Sequence, residues 1–137
     1  MRERDVRKTY RALTITALTI FCTVLFSACG ADNAYRHLSM EDAVQMMQSE
    51  KDYLIVDVRS KEEYDKRHIP GAILLPIDDI RAGKTDVLSD QRQTLLLYCW
   101  TGRRAEDAAT LLAKMGYQNV YEFGGLVDWR GETEGEE

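Results

Sequence analysis

Two unbroken apolar runs, Tyr53-Leu54-Ile55-Val56 and Leu95-Leu96-Leu97-Tyr98, constrain the architecture more than any other feature. Each has the length of a strand and lacks polar alternation, the pattern of a strand buried on both faces of a parallel sheet. Helical segments follow each of them. Ser60 opens one as an N-cap, with Glu63 three residues later completing a capping box, and the helix stops near Arg67-His68 ahead of Pro70-Gly71. The other runs from Gly102 to Met115, with Ala108, Leu111, Leu112 and Met115 on one face and Gly116 as its left-handed cap. Strands are also expected at Tyr35–Leu38, Ala72–Leu75 and Asn119–Glu122. Further helical pieces are expected at Met40–Gln48 behind Ser39 and Asp42, at Ile77–Ile80, near Asp86–Leu88, and after Gly124-Gly125 bearing Val127 and Trp129. In the first of these, Val44, Met46 and Met47 supply apolar contacts and the methionines read as core filler. Strands alternating with helices predict an α/β fold of three layers, α/β/α, on a parallel sheet.

The second run leads into Cys99-Trp100-Thr101-Gly102-Arg103-Arg104 and then directly into the long helix. This puts Cys99 at the carboxyl end of a strand, where open α/β sheets bind ligands. It also lies beneath a helix N-terminus, whose unpaired N–H groups and dipole favour an anion. A thiol held there is poised to act as a thiolate nucleophile. Gly102 lets the loop backbone approach a bound group without an intervening Cβ. A cysteine closing a buried strand is more often a small inert hydrophobe, but such a residue needs neither Gly102 nor the arginine pair. Trp100 is placed to wall the entrance.

The first 28 residues read as a targeting segment. Arg2, Arg4, Arg7, Lys8 and Arg11 form a basic start, and Ala12–Phe26 an apolar stretch reaching about 22 Å as a helix, short of the ~30 Å hydrocarbon core. Phe26-Ser27-Ala28-Cys29 resembles the lipobox of bacterial lipoproteins, with Phe26 where an aliphatic residue is usual. That resemblance implies cleavage before Cys29, lipidation of Cys29, and an exported domain held on the extracytoplasmic side (periplasm or cell surface) by a tether over residues 29–34.

The charge count follows from that division. The leader holds five of the 18 basic and two of the 23 acidic residues, so the remainder carries 13 against 21, a net of −8 compared with −5 for the whole chain. So acidic a domain is a poor nucleic-acid binder. The carboxylates of Glu132, Glu134, Glu136 and Glu137 read as a solvated, frayed tail over residues 132–137. Of the three cysteines, Cys22 leaves with the leader and Cys29 takes the lipid, which leaves Cys99 as the one thiol and excludes a disulfide within the chain. His37 and His68 stand apart, with no metal-ligand spacing among Cys, His and carboxylates, so no metal and no cofactor is expected.

Over residues 35–131 the chain resembles the single-domain rhodaneses, a sulfurtransferase family. Four segments match in order: Asp57-Val58-Arg59 with Glu63-Tyr64; His68-Ile69-Pro70-Gly71-Ala72; the loop Cys99 to Arg104; and Gly124-Gly125-Leu126-Val127-Asp128-Trp129. Two positions depart from the family pattern: Arg67, where glycine is common before the histidine, and Ala105, where serine is common after the arginine. The resemblance implies a five-stranded parallel sheet between helical layers. It implies that Cys99 takes a sulfane sulfur from thiosulfate or a persulfide or polysulfide donor, then yields it to a thiol or cyanide. Arg104, at the motif position, is assigned to an anionic donor, with Arg103 facing solvent. Asp57, Arg59 and His68 are assigned to architecture, the Asp57-x-Arg59 motif forming an ion pair to Glu63 through its arginine or bracing the loop. The partners implied are a small sulfur-containing anion or thiol and, through the lipid, a membrane; the domain is read as a monomer.

Two other functions compete. Phosphatases and arsenate reductases of the same fold use a loop one residue longer than the Cys-x4-Arg spacing of Cys99 and Arg104, and a shorter loop suits one sulfur atom better than a tetrahedral oxyanion. A membrane-tethered, non-catalytic persulfide carrier or binding module is the other alternative.

Overall fold

A computed structural model describes residues 34–136. The leader, its lipobox and most of the tether, and Glu137 at the other end, lie outside the described residues. In chain order the elements are β1 (Arg36–His37), α1 (Met40–Ser49), β2 (Tyr53–Asp57), α2 (Lys61–Lys66), β3 (Ile73–Leu74), α3 (Ile77–Arg81), β4 (Thr94–Cys99), α4 (Arg103–Lys114) and β5 (Asn119–Gly125). The five strands form one parallel sheet in the order β1-β5-β4-β2-β3. The two apolar runs, β2 and β4, lie side by side near its centre.

Strand periodicity divides β4 between two cores. Leu95, Leu97 and Cys99 face a cluster with Val56, Val58, Ile77, Ile80 and the inner side of α4. Leu96 and Tyr98 face the other, with Ile55, Ala43 of α1, Ile69 and Phe123. Helices therefore cover both faces, giving the three layers expected. Cys99 consequently lies on the α4 side, where the helix that follows it begins.

The caps are those the sequence specifies. The Ser60 hydroxyl accepts from the Glu63 N–H while the Glu63 carboxylate accepts from the Ser60 N–H, a complete capping box on α2. At α1, Ser39 accepts from the Asp42 N–H, and Asp42 returns to the serine hydroxyl.

Several expectations need correction. Residues 86–88 form a turn and no helix, and so do residues 126–128, leaving Val127 exposed. Met115 is 36% exposed and leaves the packed face of α4; Ala108, Leu111 and Leu112 lie on that face as expected, joined by Ala105, Ala109 and Ala113, small residues that bring the helix close to the sheet. In α1, Ala43 is buried and Met40, Met46 and Met47 pack on the second core, without Val44. The acidic end is tied down where the sequence suggests fraying. Glu134 and His68 exchange backbone hydrogen bonds (2.8 and 2.9 Å), the Glu136 N–H donates to the Asp65 carbonyl (2.7 Å), and the Gly71 N–H donates to the Glu134 carboxylate (3.2 Å).

Candidate active site

The loop Cys99–Arg104 is held from one side by the exit of β5. The Leu126 N–H donates to the Cys99 carbonyl (2.8 Å) and the Val127 N–H to the Trp100 carbonyl (3.1 Å). Carbonyl and N–H point opposite ways in a trans peptide. The Trp100 and Thr101 N–H groups are thereby turned away from β5. The pairing of β4 with β5 shifts register between Leu97 and Cys99, so that Cys99 lies opposite Gly125. A Cβ at Gly125 would stand 2.2 Å from the Trp100 carbonyl oxygen and 2.6 Å from the Thr101 Cα. Only a residue without a side chain admits the loop this close.

Cys99 is 1% exposed, and its Sγ accepts from the Gly102 N–H at 3.1 Å. Gly102 is the N-cap of α4 at φ +99°, and a Cβ there would also press on the Gly124 backbone at 3.1 Å. A glycine cap carries no side chain, so no side-chain hydrogen bond closes the first turn of α4. The N–H groups of Arg103, Arg104 and Ala105 therefore lack intrahelical acceptors and are available to an anion.

Arg104 does not stand free to take a donor. Both of its terminal nitrogens reach the Glu63 carboxylate, at 2.7 and 2.8 Å, joining the start of α4 to the first turn of α2. This fork-to-fork bond holds the Glu63 carboxyl well below the usual carboxylate range, at about 2. It also raises the Arg104 guanidinium, to which the Cys99 sulfur adds a smaller contribution. The pairing is about a third exposed and worth under ~1 kcal/mol. Its contribution is present above the ordinary glutamate value near 4.5 and disappears as pH falls toward 2. In thermal scans, Glu63→Gln is expected to melt below the unsubstituted protein by a constant gap above pH 5, the gap narrowing from pH 4.5 downward. A gap independent of pH down to 3 contradicts the pairing.

Asp57 and Arg59 do not pair with Glu63. They pair with each other in the interior, the Arg59 Nε and Nη2 reaching both Asp57 oxygens at 2.6–3.1 Å and the Arg59 N–H adding a bond of 2.9 Å. Arg59 Nη2 also donates to the Arg67 carbonyl (2.6 Å), and its guanidinium lies 5.8 Å from the Tyr98 ring centroid. Tyr98 donates no charge to this cluster: burial first, and then the Asp57 carboxylate, push its phenol far up. His68 stacks on Tyr64 at 3.7 Å, with Nδ1 against the Tyr64 carbonyl (2.8 Å) and Nε2 near Glu134 (3.3 Å). Both ring nitrogens are engaged away from the loop. Its carboxylate neighbour comes from the C-terminal end of the chain.

Trp100 is 42% exposed at the loop and borders a cleft of about 320 Å³ with Arg59, Glu63, Lys66 and Arg67. Thr101 and Arg103 face outward into a second cleft with His37, Glu106 and Glu122. Lys66 is a site residue that sequence reasoning did not single out, and Glu63 and Gly125, named there for capping and motif, were not placed at the loop. Their signals, a capping glutamate, a helix-end lysine and a doubled glycine, read as local structure.

A parallel three-layer α/β domain with a cysteine loop beneath a helix N-terminus defines the class of protein. Residues 39–132 match the rhodanese-like domain family, and the chain belongs to it. Among relatives, the chain is 34% identical over 98 residues to YrkF of Bacillus subtilis (strain 168), a protein named for sulfur carriage; the match covers 71% of this chain and 52% of that one. It is 36% identical over 73 residues to the thiosulfate sulfurtransferase PspE of Escherichia coli (strain K12), covering 53% and 70%. A tRNA uridine(34) hydroxylase of Yersinia pestis (strain Pestoides F) matches at 33% over 98 residues, 68% of this chain and 28% of the hydroxylase. The chain thus spans about half of the first of these relatives and about a quarter of the last. A rhodanese from E. coli solved with anions superposes with a TM-score of 0.56 at 31% identity, covering 61% of this chain and 99% of that one. The protein hp1203 of Helicobacter pylori 26695 superposes at 0.60 and 32%, covering 73% and 89%.

Proposed function

We propose that the protein is a sulfurtransferase that moves a sulfane sulfur through a persulfide on Cys99. The observation that carries this reading is the Gly102 N–H donating to Sγ beneath an α4 first turn that no side chain caps. In the first half-reaction the Cys99 thiolate attacks the outer sulfur of thiosulfate; the S–S bond of the donor breaks and sulfite leaves with its electron pair. The enzyme then carries Cys99–S–S⁻. In the second, an acceptor thiolate or cyanide attacks the outer sulfur, and Cys99 leaves as a thiolate. Charge and electrons balance in each step without an external oxidant, in a ping-pong scheme. The terminal sulfur of the intermediate is an anion, and the free amides of Arg103, Arg104 and Ala105 suit it. The relatives named for thiosulfate sulfurtransfer and for sulfur carriage support the reading.

Turnover tests it: thiosulfate with cyanide should give thiocyanate, and an aryl phosphate should release no phosphate. A one-sulfur mass gain without turnover would instead support carriage alone, and phosphate release would support a phosphatase.

We also propose that the domain is exported and anchored through lipid on Cys29, supported by the basic start, the short apolar stretch and the lipobox-like Phe26-Ser27-Ala28-Cys29. No helix among the described residues is long and apolar enough to cross a membrane. Labelled palmitate fed to cells making the full chain is expected to enter the protein and to be lost in Cys29→Ala, which should also leave the membrane fraction. Equal membrane recovery of both forms contradicts the anchor.

A further inference from the structure

The cleft beside Trp100 carries an inference that rests on the sulfur-transfer reading and extends it to the substrate. Four charged residues line it. Two are neutralised from within the fold, Arg59 by Asp57 and Glu63 by Arg104. The other two, Lys66 and Arg67, are exposed and, like Arg36, Lys51, Arg103, Lys114 and Arg130, have no carboxylate partner among the described residues; here the two stand together in the lining of one cleft.

Arg67 is also fixed in place. Its N–H donates to the Glu63 carbonyl (3.3 Å), its carbonyl accepts from the buried Arg59 (2.6 Å), and its guanidinium lies 5.6 Å from the Trp100 ring centroid. A cation set over the indole next to the nucleophile, with a second cation beside it, presents a net positive, partly apolar surface at the loop. The other two clefts around the loop lack this balance. Glu106 and Glu122 accompany Arg103 in one, and Asp78 accompanies Arg81 in the other. At about 320 Å³ the Trp100 cleft lies at the lower end of the size range of pockets for organic ligands.

We propose that Lys66, Arg67 and Trp100 form a recognition subsite for the remote carboxylate of an organic thiol or of its persulfide, the molecule whose sulfur is exchanged with Cys99. The carboxylate pairs with the two cations while the short carbon stem lies against the indole, and the sulfur end reaches Cys99. With a thiol, R–S⁻ attacks the outer sulfur of Cys99–S–S⁻, the Cys99 sulfur–sulfur bond breaks, and R–S–S⁻ leaves. With a persulfide the same step runs in reverse.

The test compares 3-mercaptopropionate with the uncharged 2-mercaptoethanol, using the full chain and its Lys66→Gln/Arg67→Gln double variant. The ratio of kcat/KM for the charged over the uncharged acceptor is expected to fall about tenfold in the variant, as for the loss of a charge-assisted contact, with Lys66→Gln/Arg67→Lys recovering part of it. Running the persulfide of 3-mercaptopropionate as donor shows whether the subsite serves donor, acceptor or both. Binding is read separately from turnover, through the Trp100 indole N–H signal. It should shift and saturate with 3-mercaptopropionate in the unsubstituted protein only. A ratio unchanged by the double substitution while turnover proceeds overturns the subsite and leaves sulfur transfer standing. A saturating, charge-dependent indole shift without any sulfur turnover does the opposite. An indole signal that responds alike to both thiols overturns the subsite whatever the turnover.

Discussion

Cys99→Ser is expected to fold like the unsubstituted protein and to transfer no sulfur. The substitution is nearly isosteric, and serine keeps an acceptor for the Gly102 N–H, which now reaches Sγ at 3.1 Å. What it loses is the atom able to form a sulfur–sulfur bond and to leave from one. Removing a covalent nucleophile has cost on the order of 10⁶ in kcat where it has been measured, and here no neighbouring group replaces it: Cys99 is the free thiol among the described residues. Thiocyanate production should therefore drop to the uncatalysed rate while the melting temperature stays within a few degrees. Residual turnover above background would move the chemistry away from this residue.

Asp57→Asn is expected to give the largest loss of stability. Arg59 and Asp57 are almost completely withdrawn from solvent, and four hydrogen bonds join them. The amide offers one acceptor where the carboxylate offers two, and turns an N–H₂ toward a guanidinium that can only donate. A stranded buried charge costs about 3–5 kcal/mol, which for a domain of this size lowers Tm on the order of 20 °C. Arg59 also holds the Arg67 carbonyl, so the segment carrying Lys66 and Arg67 should loosen with it. Replacing both partners, as in Asp57→Leu/Arg59→Met, is expected to recover much of the loss, because no charge is then left unpaired. The exposed Lys61–Asp65 pair provides the contrast: its removal should leave the melting temperature nearly unchanged. A melting temperature in Asp57→Asn within a few degrees of the parent would show that water reaches Arg59.

The parts of this molecule legible in its sequence are those set by local rules. Leu95-Leu96-Leu97-Tyr98 reads as a strand covered on both sides, and the short turn into the next helix places Cys99 beneath that helix's N-terminus. Ser60 with Glu63 marks the start of α2 by the capping box alone. What the sequence concealed depends on chain separation. Glu63 looked like a capping residue and is one, but its carboxylate also holds Arg104, 41 residues away. No local pattern announces that. Arg104 was therefore assigned to a substrate when its fork is already occupied. The acidic end reads from charge as solvated and frayed; its described residues 132–136 are exposed, yet strand-like pairing of Glu134 with His68 holds them in place. Leu126–Asp128, expected as helix, is a single turn closed by the Asp128 and Trp129 N–H groups on the Gly125 and Leu126 carbonyls, while the Leu126 and Val127 N–H groups hold the loop carbonyls.

The most direct measurement is the mass of the peptide bearing Cys99, taken from full-length protein after incubation with thiosulfate and without an acceptor. The account predicts a gain of one sulfur atom on that peptide, removed on adding cyanide and absent from Cys99→Ser. A peptide that stays at the mass of the plain thiol, or a sulfur found equally in the serine form, would contradict it.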